Sequence, residues 1–164
     1  MDLSKLTSLA SDLGSLLVSK KFFFTSAESC TGGWLGQSVT SVQGSSFWFS
    51  YGFITYSNTA KIDLLNVSKN TLEKFGAVSE EVVEEMVVGA LKKSGADIGV
   101  AISGIAGPDG GSKDKPVGTV CLAWALKDDF IVSSTQLFDG NREQVRYHSV
   151  EKALLGAIDL LMKL

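Results

Sequence analysis

The chain has 164 residues, 45% of them hydrophobic and 20% charged, with a net charge of −3. That is the make-up of one ordinary globular domain with room for a single substantial core, and no apolar run approaches the roughly 18 residues of a membrane span. The acidic balance also argues against a nucleic-acid-binding surface, which needs basic residues to neutralise phosphates. Two cysteines, Cys30 and Cys121, and one histidine, His148, offer neither zinc-ligand spacing nor a disulfide framework. A Ser-His-Asp arrangement would hang on His148 alone, so a hydrolase built from this sequence needs another base.

In chain order, Leu3, Leu6, Leu9, Leu13, Leu16 and Leu17 recur at helical spacing and predict an amphipathic helix over 4–20. Because polar residues interrupt it throughout, this segment is not a signal peptide, and the default compartment is the cytoplasm. Phe22, Phe23, Phe24 and Thr25 then suit a strand covered on both faces. The run breaks into Ser26, Ser29, Cys30 and Thr31 and closes on Gly32 and Gly33. Two readings stand here: a strand end that delivers a nucleophile where an α/β sheet usually binds ligands, or a tight turn with polar filler.

Trp34, Leu35 and Val39 fit a short helix ending before Gly44, and 47–56 reads as a second strand. Asn58 is the expected N-cap of a helix through Leu65, which places Lys61 in its first turn. A short helix over 71–75 precedes a longer one over 79–93. Its Glu80, Glu81, Glu84 and Glu85 read as a solvated, dipole-favoured end.

Ile98 to Ile102 form a buried-type strand that runs into the glycine-rich loop SGIAGPDGGSKDKPVG. Glycines at 104, 107, 110 and 111 allow positive φ and close approach of backbone to a ligand, while Asp109 and Asp114 solvate their turns. Strands over 119–126 and 130–137 make an antiparallel hairpin through Lys127, Asp128 and Asp129. The last helix runs from Asn141 to about Met162. At about 100° per residue Arg146 falls on its apolar face, Arg142 at the edge and His148 almost opposite. A guanidinium on such a stripe calls for a carboxylate, a phosphate or a domain partner.

If Ser29 is a nucleophile, a lysine made neutral by burial can take its proton. Lys61 is the lysine expected beside it, because YSNTAK leaves one strand and enters a helix, with Tyr56 near enough to orient or relay the proton. Backbone N–H groups from Cys30 to Gly33 would serve as oxyanion donors. Cys30 as nucleophile and Glu28 as base or as a loop-holding acceptor remain open on the residues alone.

Six segments, AESCTGG at 27–33, YSNTAK at 56–61, FGAVS at 75–79, SGIAGPDGG at 103–111, KPVGTV at 115–120 and FDGNREQVR at 138–146, together resemble the CinA C-terminal domain family, the nicotinamide-nucleotide amidases. They come in the family's order and span nearly the whole chain. The resemblance implies a single three-layer α/β/α domain with a mixed sheet of about five to six strands. Larger CinA proteins carry a further N-terminal domain for which 164 residues leave no room.

It also implies hydrolysis of the carboxamide of nicotinamide mononucleotide (NMN), releasing ammonia and nicotinate mononucleotide, without metal or cofactor. The implied roles are Ser29 as nucleophile, Lys61 as base and Tyr56 assisting. Glu28, Cys30, Thr31, Gly32, Gly33, Gly104, Ala106, Gly107, Gly110, Gly111, Arg142 and Arg146 would line the nucleotide site. The implied partners are the nucleotide and further copies of the chain, with no nucleic acid and no membrane. Tyr51 and Thr59 depart from the family's pattern, which leaves a nucleotide-binding regulatory module, or an amidase for another carboxamide, as alternatives.

Overall fold

The computed structural model describes residues 1–164. Helix α1 (Leu3–Lys20) is capped by Asp2 and buries Leu6, Ala10, Leu13 and Leu17 on one stripe. It ends on Lys21 in the left-handed conformation, with the Phe22 N–H bonded to the Leu17 carbonyl. Phe22 and Phe23 therefore belong to the helix exit, and Asp97 accepts the Phe23 N–H at 2.7 Å. Strand β1 (Phe24–Glu28) starts later than the aromatic run predicts and continues through Ser26, Ala27 and Glu28. Lateral pairing explains the shift, since β1 lies between two parallel neighbours, β2 (Phe49–Ile54) and β3 (Ile98–Gly104), and all its residues are buried.

Strands β4 (Thr119–Leu126) and β5 (Ile131–Leu137) complete a mixed sheet of order β2-β1-β3-β4-β5, with β3-β4 and β4-β5 antiparallel. Helices α1, α2 (Trp34–Thr40) and α6 (Arg142–Met162) cover one face over a core that includes Leu35, Ile98, Val100, Ile102, Leu122 and Leu154. Helices α3 (Asn58–Leu65), α4 (Lys69–Phe75) and α5 (Glu80–Ser94) cover the other over Ala27, Ala101, Ala123, Met86 and Val87. The architecture is three-layer α/β/α, as expected, with five strands.

Several boundaries move for local reasons. The second strand is shorter than 47–56 because Ser45–Phe47 form a 3₁₀ turn. Ser57, not Asn58, caps α3, its hydroxyl accepting the Ala60 N–H at 3.0 Å. Ser68 starts α4 earlier than 71. The glutamates of α5 do more than face water. Glu80 accepts from Ser133 and Thr135 of β5, Glu84 from Ser133, and Glu85 from Ser68 and Thr71 of α4.

The connection leaving β1 runs over one face of the sheet and the one leaving β2 over the other. The carboxyl ends of β1, β2 and β3 therefore open into a crevice of the kind that binds ligands in α/β sheets.

Candidate active site

Ser29 follows β1 directly, and its N–H donates to the Ile102 carbonyl at 3.0 Å, extending the β1-β3 ladder by one residue. On the other side the Thr55 N–H donates to the Glu28 carbonyl at 2.8 Å, which carries the β1-β2 pairing to the start of α3. Side chains on a helix lean toward its N-terminus, so Lys61, one turn into α3, reaches back over both strand ends. Its Nζ lies 3.0 Å from Ser29 Oγ, 2.9 Å from the Thr55 carbonyl and 3.3 Å from the Tyr56 carbonyl.

Lys61 is only 1% exposed, and none of the ion pairs in the chain includes it. Burial, which disfavours the charged ammonium, lowers its pKa from the ordinary 10.5. In the neutral amine two N–H bonds can serve the two carbonyls while the lone pair accepts the Ser29 proton. The arrangement is a hydroxyl with a base in hydrogen-bonding contact, the minimum for nucleophilic catalysis.

The turn after Ser29 is shaped from both sides. Gly32 (φ +60°) and Gly33 (φ +96°) adopt left-handed conformations, and a Cβ on Gly33 would come within 2.9 Å of Ile54. The buried Glu28 carboxylate accepts the N–H groups of Gly33, Leu35 and Gly36 at 3.1, 3.0 and 2.8 Å, so it caps α2. Arg146 donates to the Cys30 and Thr31 carbonyls at 3.0 and 2.9 Å and lies over the Trp34 ring. The partners expected for Arg146 were a carboxylate, a phosphate or another domain. The structure supplies carbonyl oxygens, because the β1-α2 turn crosses the face of α6 at that height. With these contacts made, the N–H groups of Cys30 and Thr31 find no acceptor in the chain.

A cavity of about 200 Å³ lies against Ser29 and Lys61, lined also by Cys30, Tyr56, Ser103 and Arg142. Gly104 and Ala106 contribute to its wall. Other sequence candidates stand outside it. Glu28, Thr31, Gly32, Gly33 and Arg146 build the turn from behind. Gly107 acts through its carbonyl, which accepts from Arg142 at 2.8 Å. A Cβ on Gly107 or Gly111 would collide with Val117 at 2.5 or 2.6 Å, and Gly110 takes φ +92°, so these glycines close the loop on itself. Tyr51 is half exposed on β2 and stacks on Phe53, away from the cavity.

Tyr56 meets the pair through its backbone. Its carbonyl faces Lys61, whereas its exposed phenol hydroxyl accepts from Arg142 at 3.2 Å. The Cys30 thiol is buried in the α1/α6 core, and burial pushes its pKa up to about 11, which keeps it protonated at neutral pH. His148 Nδ1 lies 3.3 Å from Glu151 Oε2 and its ring lies against the Phe138 ring, outside the cavity. A larger hollow of about 550 Å³ lined by Glu81, Glu84 and Glu85 lies apart from Ser29 and Lys61, and its Thr71 hydroxyl is tied to Glu85 at 2.6 Å. No group of His, Cys, Asp and Glu side chains is placed to hold a metal ion, and no helix is long and apolar enough to cross a membrane.

The order of these segments along the chain and their meeting at one crevice match a known pattern, since the family model for the CinA C-terminal domain covers residues 6–161. This chain belongs to the CinA C-terminal domain family. It is 48% identical over 163 residues to the nicotinamide-nucleotide amidohydrolase PncC of Enterobacter agglomerans, with 99% of each chain covered. The protein of the same name from Escherichia coli strain K12 is 48% identical over 151 residues, 92% of each. A crystal structure of a CinA superfamily protein from Klebsiella pneumoniae superposes with a TM-score of 0.93 at 35% identity, covering 97% of this chain and 99% of that one.

In this CinA-family chain, sequence reasoning missed Ser103, Ala77, Val78 and Asn58 as cavity residues. Ser103 carried a signal: like Ser29 it is a small hydroxyl placed just after a buried strand run. Lys115 was missed as well. Its Nζ donates to the Phe75 and Val78 carbonyls at 2.7 and 2.6 Å and ties the glycine-rich loop to the cavity wall.

Proposed function

We propose that the protein is an amidohydrolase that converts NMN to nicotinate mononucleotide and ammonia through an acyl-enzyme on Ser29. The observation that carries the reading is the 3.0 Å contact between Ser29 Oγ and the buried, carboxylate-free Lys61. The substrate follows from the activity named in the two relatives at 48% identity.

Neutral Lys61 takes the Ser29 proton as Oγ attacks the carboxamide carbon. The oxygen of the tetrahedral adduct gains its negative charge beside Cys30, which lines the cavity with its N–H unpartnered, and a donor so placed strengthens as charge develops. The lysine ammonium then protonates the nitrogen, the C–N bond breaks and ammonia leaves. Water attacks the resulting ester, Lys61 receives its proton, and the carboxylate product departs as the proton returns to Ser29. Arg142, held by the Gly107 carbonyl and the Tyr56 hydroxyl, lines the cavity and is exposed there to the phosphate, whereas Arg146 lies behind the turn on the Cys30 and Thr31 carbonyls. The chain acts as a homo-oligomer that covers the apolar residues Tyr51 and Ile54 exposed on β2 and Phe47 in the turn before it.

Ammonia release from NMN tests the reading. Ser29→Ala and Lys61→Ala should each lower kcat by about 10³-fold or more. Variants that turn over at the wild-type rate would remove the Ser-Lys mechanism. Binding of NMN without turnover by the wild type would point instead to a nucleotide-binding module.

A further inference from the structure

Ser103 lies at the end of β3, one step beyond the Glu28–Ile102 pair of the parallel β1-β3 ladder, and so beside Ser29. Side chains alternate along a strand, and Ala27 and Ala101 both pack into the α5-side core. Ser29 and Ser103, two residues further on in each strand, therefore project from the same face of the sheet, and both line the cavity. Ser103 is 1% exposed, and its Oγ lies 2.7 Å from the Ala77 carbonyl. A carbonyl oxygen only accepts, so the single Ser103 proton is committed to Ala77 and the hydroxyl meets the cavity as an acceptor.

That commitment is built in. Ala77 belongs to the turn between α4 and α5, which Lys115 holds through the Phe75 and Val78 carbonyls and Ser79 through the Gly76 carbonyl. The hydroxyl of Ser103 cannot turn its proton toward the cavity without leaving Ala77 unpaired. The neighbouring polar groups have other tasks. The Thr55 and Tyr56 carbonyls are taken by Lys61, and the Cys30 and Thr31 N–H groups are donors. Among the buried groups of the cavity Ser103 Oγ is the acceptor left for a donor on the substrate, the other free acceptor being the Asn58 amide on the exposed side.

We propose that Ser103 recognises the N–H of the scissile carboxamide and so makes the site specific for an amide over an ester or a carboxylate. The assignment rests on the amidase reading above. With the carbonyl oxygen toward the Cys30 N–H, an N–H bond to Ser103 fixes rotation about the bond between the ring and the carboxamide as Ser29 attacks, and keeps the nitrogen beside the lysine that protonates it. After deacylation the carboxylate product presents an oxygen with no proton to the same hydroxyl. Two acceptors face each other, which favours release.

The test compares kcat/KM for NMN and for the methyl ester of nicotinate mononucleotide, which has no N–H at the reacting carbon, in the wild type and in Ser103→Ala. The variant should lose about tenfold on the amide, the scale of one hydrogen bond, and stay within about twofold on the ester. Nicotinate mononucleotide should inhibit it more strongly than the wild type. Ser103→Cys keeps the size of the side chain with a poor acceptor, and should shift the amide-to-ester ratio the same way even where the alanine variant fails to fold. Equal losses on both substrates, or no loss on either, would overturn the role of Ser103 while leaving the amidase reading intact. A wild type inert toward both substrates would overturn that reading, and this inference with it.

Discussion

Lys61 is held by contacts that favour opposite protonation states. Two carbonyls and a hydroxyl lie where an ammonium would donate, yet burial without a carboxylate disfavours the charge. Because the folded-state pKa lies below 10.5, the unfolded chain binds more protons between the two values. Unfolding free energy then rises with pH across that window. Lys61→Met removes this term, so stability of the wild type relative to the variant should increase as pH rises toward 10.5. Activity should climb over the same lower range as the amine loses its proton. Denaturant unfolding at several pH values beside a pH profile of kcat/KM would check both. A kcat/KM that falls as pH rises through the window would exclude a neutral amine as the base. Much of this residue's setting was legible in the sequence, since the lack of a usable histidine and the position of Lys61 in the first turn of a helix both pointed to it. The roles of Arg146 and of the Tyr56 phenol were not, because each depends on what another segment presents at the far end of a long side chain.

Helix α2 begins beside the proposed nucleophile, and its positive end is already occupied. Glu28 accepts three of its N–H groups from inside the chain, a stronger arrangement than an exposed cap because carboxylate and donors are shielded from water. The consequence is a rigid turn in which only Cys30 and Thr31 keep free donors. Glu28→Gln keeps the shape but leaves one oxygen for three donors and sets an NH₂ against the others. It should lower stability by about 2–4 kcal/mol and kcat by about 10²-fold through misplaced oxyanion donors, with KM little changed. Thermal unfolding and steady-state kinetics would measure both, and wild-type kcat in a destabilised variant would show that the turn does not depend on this cap. The starts of α5 and α6 were legible because Ser79 and Asn141 precede apolar runs at helical spacing, and each proves to be the residue that caps its helix. The extent of β1 was not. Thr25, Ser26, Ala27 and Glu28 have the local character of a turn, and they form a strand because β2 and β3 pair with them on both sides.

Across the whole molecule, the pattern of apolar runs predicted alternating strands and helices and the antiparallel β4-β5 hairpin, and the sheet has both. Strand order was beyond it, since nothing local says that β3 crosses over to lie beside β1. That crossing leaves β2 as an edge, where a strand has unpaired backbone groups along one side. Charged residues usually guard such an edge. Here Tyr51 and Ile54 are 50% and 55% exposed on the two faces of the edge, Phe47 is 78% exposed in the turn before it, and the Tyr51 ring stacks on Phe53 to make an apolar strip on one face. A second copy of the same strand offers a self-complementary cover under two-fold symmetry. Tyr51 stands in that strip and not in the cavity, so its effect should fall on assembly. Tyr51→Lys combined with Phe47→Lys should shift the protein to monomers in sedimentation equilibrium and leave the 3.0 Å Ser29–Lys61 contact untouched, because neither side chain lines the cavity. A wild type that is monomeric at every concentration tested would exclude this edge as an interface. A variant that assembles as the wild type does would move the interface elsewhere, with the β5 edge and its exposed Ile131, Val132 and Leu137 as the remaining strand edge to test.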